Sequence, residues 1–150
     1  MAERVDFYVL PSQTPQRRWH LGCRLTAKAY LKDLSIVIWS GSADDARLCD
    51  DLLWTFDEQS FVPHRLVRDG EPMDGQTPVH LVLGLESVER ADLLINLADR
   101  LPAGLGRFTR IAEIIDADPE RRRLGRERFK AYRDLKLPLE THQLGDTSEI

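Results

Sequence analysis

The sequence predicts an α/β domain built on a mainly parallel sheet of about five strands with helices on both faces. Short apolar runs rich in β-type residues alternate with longer stretches of helical period, the order expected of successive β-α-β units. The first two such runs, "VDFYVL" (Val5–Leu10) and "SIVIWS" (Ser35–Ser40), lack the regular polar alternation of a half-solvated strand, as expected where helices cover both sides. A chain of 150 residues is also the size of one domain with a full hydrophobic core.

The elements follow in order. Pro11 closes the first strand, and Thr14 with Pro15 reads as an N-cap and first helical position. That helix is predicted to run to about Lys32, burying Leu21, Leu25 and Ala29. Ser35–Ser40 is the second strand. Ser42, followed by Asp44 and Asp45, opens a second helix, where the two acids suit the positive helix terminus. Its apolar stripe, Ala46, Cys49, Leu52 and Leu53, leads to Trp54. Residues 55–64, "TFDEQSFVPH", hold two Phe and a Pro without any period and read as a loop. Residues 68–78, "RDGEPMDGQTP", have the most flexible composition of the chain. Val79–Gly84, Asp92–Leu97 and Arg110–Asp116 supply three more strands. Pro119 and Glu120 begin a last helix that extends to about Lys136. One domain over residues 1–143 is expected, with residues 144–150 a frayed tail.

The search for catalytic chemistry is negative. The turn after the first strand, "LPSQTPQRRW", has no glycine, and no GxxxxGK run occurs, so a Rossmann-like sheet without a phosphate loop is predicted. "GLGRF" (Gly104–Phe108) reads as a loop. His20, His64, His80 and His142 are scattered without ligand spacing, and no metal or cofactor is expected. A buried or capping role suits His64, which follows Pro63. Adjacent acids such as Asp50–Asp51 point in different directions on a helix and make no acid/base pair. No GxSxG elbow is present. Cys23 and Cys49 belong to no CxxC and read as reduced core thiols. No apolar run approaches the roughly 18 residues of a membrane span, and the N-terminus lacks a cleavable signal pattern. A cytoplasmic, non-enzymatic protein is the expectation.

The charge is distributed unevenly. The chain carries a net charge of −4, yet Glu120–Lys136 holds eight Lys or Arg against three Asp or Glu. Helical spacing puts Arg126, Phe129, Lys130 and Arg133 on one stripe, with Arg122 a turn earlier. A ring flanked by cations suits a ligand offering carboxylates together with an apolar side chain. Two other readings stay open: Phe129 as core with arginine stems over it, or a weak single-stranded nucleic-acid site. The acidic remainder of the chain opposes the second. Trp54, Phe56, Phe61, Val62 and Pro63 form a further aromatic segment, of a kind that anchors interfaces or folds back as core.

"DDLLWTFDEQSFVPHRL" (50–66), "DLLINLADRLP" (92–102) and "RERFKAYRDLKLPLETH" (126–142), with the opening "VDFYVL", resemble the chi subunits of bacterial DNA polymerase III over almost the whole chain. The resemblance implies a non-catalytic accessory subunit of the replicative polymerase, associated with the clamp loader, with a nucleotide-binding-like fold that uses no nucleotide. It implies binding of the acidic, Phe-ended C-terminal tail of single-stranded DNA-binding protein, with DNA contact mainly indirect. It also implies a tight pair with a small psi subunit or another clamp-loader component, and a place at replication forks on the nucleoid. Residue by residue, Arg126 and Lys130 match the family's basic tail-binding positions. Phe129 stands where an aromatic is often Tyr, Arg133 and Tyr132 support the block, and Ile115 is expected to line the pocket. Trp54 and Phe61, with Pro63, match the partner-subunit surface. The segment 117–125, "ADPERRRLG", is richer in Arg than the family pattern.

Overall fold

The computed structural model describes residues 2–57, 61–68 and 71–145. In chain order they form β1 (Arg4–Val9), α1 (Pro15–Tyr30), β2 (Ile36–Ser40), α2 (Ala43–Thr55), β3 (His64–Leu66), β4 (Val79–Val82), β5 (Ala91–Leu97), β6 (Phe108–Ile115), α3 (Pro119–Asp134) and β7 (Leu139–Gln143). The strands make one seven-stranded sheet in the order β3-β4-β2-β5-β6-β1-β7, with parallel pairing throughout. The five predicted strands are all present; β3 and β7 are additional. β3 is three residues long and starts at the last residue of the predicted 55–64 loop. β7, "LETHQ", is polar and largely exposed, so it carries no apolar run to betray it. Glu58–Ser60, residues 69–70 and residues 146–150 lie outside the described residues, as does most of the expected frayed tail.

Helices cover both faces. On one side α1 and α2 press Leu21, Leu25, Ala29, Cys49 and Leu53 onto Ile36, Ile38, Leu81, Ile95 and Ile114. On the other, α3 brings Tyr132 and Phe129 against Phe7, Ile111 and Ile115. Ser42 caps α2 as expected, its hydroxyl accepting from the Asp45 N–H at 3.1 Å. α1 starts at Pro15 without a side-chain cap from Thr14, whose own N–H instead donates to the Ser12 hydroxyl at 3.0 Å. Both cysteines are buried and unpaired; burial pushes the Cys23 thiol up strongly and the Cys49 thiol to about 12, so neither is a reactive thiolate. In "GLGRF", Gly104 sits at φ 67°, and the Arg107 guanidinium donates back to the carbonyls of Leu85 and Val88 at 2.6 and 2.8 Å. That side chain closes the loop from within and leaves no phosphate cradle.

Asp6 on β1 ties the last strands together. It accepts from Arg4 at 2.8–2.9 Å, from Arg110 of β6 at 2.9 Å, and lies 3.0 Å from His142 Nε2 of β7. Burial pushes its carboxyl up, but the bonds from His142, Arg4 and Arg110 outweigh this and hold it below the ordinary 3.8. A carboxyl depressed on folding contributes stability that is present above its unfolded pKa and lost as pH falls through the folded one. Urea midpoints measured below about pH 4 should therefore fall for the wild type, and Asp6→Asn should flatten that acid limb. An unchanged slope in the variant would show that Asp6 does not carry it.

Candidate peptide-binding cleft

Between α3 and the open edge of the sheet lies a cleft of about 290 Å³. Its floor is built from facing positions of three adjacent strands. Ile115, Val9 and Gln143 form one row across β6, β1 and β7, and Phe7 with Thr141 forms the next. Its roof is Arg122, Gly125, Arg126 and Phe129 of α3, the i, i+3, i+4, i+7 set that shares one helix face. Gly125 sets the depth: a Cβ there would overlap the Ile115 Cδ1 methyl, so glycine lets the helix lie this close to the strand with the Ile115 side chain undisplaced. Phe129 meets Phe7 edge-to-face, ring centroids 5.2 Å apart. It is thus both packed against the core and exposed to the cleft, and the two readings of this residue are reconciled.

The charge at the rim is positive and fixed in part. Arg122 donates to the backbone carbonyls of Asp116 at 3.1 Å and Leu10 at 3.5 Å, which holds its guanidinium in place without pairing it to a carboxylate. Arg126 is exposed and has no side-chain hydrogen bond or ion pair among the described residues. Lys130 and Arg133 are also exposed, one turn further along the helix, and neither lines the cleft. The cleft therefore gathers Ile115, Arg126 and Phe129 of the predicted set. It adds Arg122, which the periodicity placed on this side, and Phe7, Val9, Gly125, Thr141 and Gln143, which sequence reasoning missed. A glycine inside an otherwise strong helix was the available signal for a close approach at 125.

The other bases of α3 have a different fate. Arg121 pairs with Asp116 at 2.8 Å and Asp99 at 3.0 Å. Arg123 pairs with Glu127 at 2.9 Å and with Glu120. Arg128 is buried, its Nε donating to Glu113 Oε1 at 3.0 Å. Glu113 also accepts from Tyr132 at 2.7 Å and Asn96 at 2.9 Å. Burial pushes its carboxyl up against the counter-pull of these donors, led by Arg128. From the opposite face Arg18 of α1 reaches Asp99 at 3.0 Å. Arg121 and Arg128 are thus paired with acids outside the helix and Arg123 with acids within it, while Arg122, Arg126, Lys130 and Arg133, at and beside the cleft, have no carboxylate partner among the described residues.

Trp54 and Phe61 lie far along the sheet near β3, 54% and 65% exposed, with ring centroids 5.6 Å apart. Trp54 also rests on the ring of His64 at 4.4 Å. His64 is held by the Val62 carbonyl at 2.7 Å, with its other nitrogen 3.0 Å from Asp50, and is the buried supporting histidine expected. Pro63, half-buried, enters β3. Asp6, Glu140 and His142 have ligand atoms within 4.8 Å of one another. Arg4 and Arg110 already occupy Asp6, and two cations at that carboxylate oppose a metal ion. No described helix is long and apolar enough to cross a membrane.

Residues 1–140 match the family described as DNA polymerase III chi subunit, HolC. The chain is 36% identical to the DNA polymerase III subunit chi of Pseudomonas aeruginosa over 141 residues, covering 94% of this chain and 96% of that protein. It is 32% identical to the subunit of the same name from Haemophilus influenzae, covering 97% and 100%, and 30% identical to that of Escherichia coli, covering 87% and 91%. A chain in a solved structure of S. cerevisiae Dbp5 bound to Nup159 and Gle1 superposes with a TM-score of 0.65 over 98% of this chain, at 9% identity. This chain spans 42% of that one, and the likeness concerns the fold alone. Two curated relatives above 30% identity and the family match over residues 1–140 lead to one conclusion: the chain belongs to the DNA polymerase III chi subunit family, with an accessory role in DNA replication.

Proposed function

We propose that this chain links the polymerase to single-stranded DNA-binding protein by holding that protein's acidic, Phe-ended C-terminal tail in the α3 cleft. The observation that carries the reading is an apolar cleft walled by Phe7, Phe129 and Ile115 with Arg122 and Arg126 uncompensated at its rim. A phenyl ring enters the cleft against the packed pair of Phe7 and Phe129, and tail carboxylates pair with the guanidinium groups. Lys130 and Arg133 extend the positive field along the helix and speed encounter rather than grip the ring. A bare nucleic-acid site fits less well, because Arg121, Arg123 and Arg128 are neutralised by the protein's own carboxylates. Titrating a labelled acidic peptide ending in Asp-Asp-x-Pro-Phe at low and moderate salt tests the reading. Micromolar binding that needs the terminal Phe supports it. Binding only to a bare oligonucleotide, with a steep salt slope, would transfer the cleft to nucleic acid.

The second surface, Trp54, Phe61 and Pro63, is assigned to a partner subunit, psi or another clamp-loader component. Exposed aromatic pairs are typical anchors of such contacts, and together the rings leave more apolar surface in water than single scattered residues do. Trp54→Ala should leave tail affinity unchanged and shift the melting temperature little, since half of the ring is already solvated. It should reduce co-purification of the partner subunit. A variant that unfolds would place Trp54 in the core instead.

A further inference from the structure

The cleft opens onto a sheet edge whose backbone groups point outward at the positions that line it. Among the described residues β7 is the last strand in the order and pairs with β1 alone. The Pro138 carbonyl accepts from the Val5 N–H at 2.9 Å, and the Leu144 N–H donates to the Val9 carbonyl at 3.0 Å. In a parallel ladder a residue turns its N–H and C=O toward the same neighbour, and the direction alternates with every residue. Residues 138, 140, 142 and 144 therefore face β1, while Leu139, Thr141 and Gln143 present their N–H and C=O to the open side. Thr141 and Gln143 are also the β7 side chains on the cleft floor. The opposite edge differs in length and cover: both edge strands follow a proline, Pro63 and Pro138, but β3 is three residues long and has the Trp54–Phe61 pair beside it. A very short strand is a common means of blunting an edge, and β7 runs five residues.

We propose that the acidic tail binds as an eighth strand, its main chain pairing with Leu139, Thr141 and Gln143 while one apolar side chain enters the cleft. The inference rests on the reading of the cleft as a tail-binding site and adds how the main chain is held. Five extended residues reach about 16 Å at 3.3 Å each, more than the roughly 10 Å of α3 from Arg122 to Phe129 at 1.5 Å per residue, so one strand can pass the whole of that segment. Charge agrees as well, since the helix bordering this edge offers Arg122, Arg126, Lys130 and Arg133 without carboxylate partners among the described residues, and an acidic strand is the one they attract. Main-chain pairing would supply affinity that depends little on the tail's side chains, leaving the cleft to select the apolar residue.

The test is an N-methyl scan of the acidic peptide, one amide at a time, against the full chain. Strand pairing predicts a two-residue rhythm: methylation at alternate positions weakens binding by roughly three- to tenfold, and the positions between tolerate it. Thr141→Pro is the complementary variant, because it removes an outward N–H while leaving the ladder to β1 intact. It should weaken the unmodified peptide by a similar factor relative to Thr141→Val, which alters the same cleft side chain but keeps the outward N–H, with both variants checked for an unaltered melt. Binding of the unmodified peptide with no rhythm in the scan overturns the eighth strand and leaves the cleft reading standing. If the unmodified peptide fails to bind at all, both fall together.

Discussion

Arg128→Ala is expected to lower the unfolding free energy by about 3–5 kcal/mol, the largest stability loss of any single change outside the apolar core. Glu113 is fully buried, with 0% exposure, and Arg128 is 4% exposed. Removing the guanidinium leaves a carboxylate in the interior with only Tyr132 and Asn96 as donors, both neutral. The loss is thus mainly the cost of an uncompensated charge and only in part the contact itself. It follows that Arg128→Met combined with Glu113→Gln should recover most of the stability, since the double variant buries no lone charge. Urea unfolding at 25 °C measures both. A single-variant loss below about 1 kcal/mol would mean that Glu113 is neutral in the fold or that the interior relaxes to let water reach it. Because total stability of such a domain is about 5–15 kcal/mol, the single variant should also show a clear drop in soluble yield.

That network explains what was legible in the sequence and what was not. β2 and β4 announce themselves because both of their faces are covered and every residue is buried, and β1, β5 and β6 because their apolar residues are largely buried. β7 is an edge strand with exposed Glu140, Thr141 and Gln143, and its sequence answers to solvent as much as to the sheet. In α3 the period is plain, but its orientation is not. Nothing within the helix announces that Arg128 is buried, because arginine is seldom buried without a partner, and the partner, Glu113, sits on another element and outside any helical window. The buried face is Gly125, Arg128 and Tyr132, and the cleft stripe lies beside it. In the same way the local excess of bases overstated the free charge. Asp99, Glu113 and Asp116 come from loop and strand positions upstream, and their pairing with Arg121 and Arg128 appears only once β5 and β6 are side by side. Helical spacing singled out Arg126 and Phe129, and the family resemblance pointed to Ile115, all three of which line the cleft, while Thr141 and Gln143 required the register of a strand that composition does not reveal.

The difference between Arg126 and Lys130 gives the second large effect. Arg126→Ala should weaken binding of the acidic peptide by about 1–3 kcal/mol, the range of a charge-assisted hydrogen bond lost from a partly desolvated site. Arg126→Glu should weaken it further by adding repulsion. Lys130→Ala should cost less, because that ammonium lies outside the cleft lining, is fully solvated, and acts across water where salt screens it. The two variants should therefore separate with ionic strength: the Lys130 effect fades at moderate salt, while most of the Arg126 effect persists. Stability should not move in either case, since neither side chain has a partner among the described residues to lose. Calorimetric titration at two salt concentrations distinguishes them. Equal losses from both variants that vanish together in salt would reduce the site to a diffuse basic surface, and the apolar cleft beneath Phe129 would then have no part in recognition.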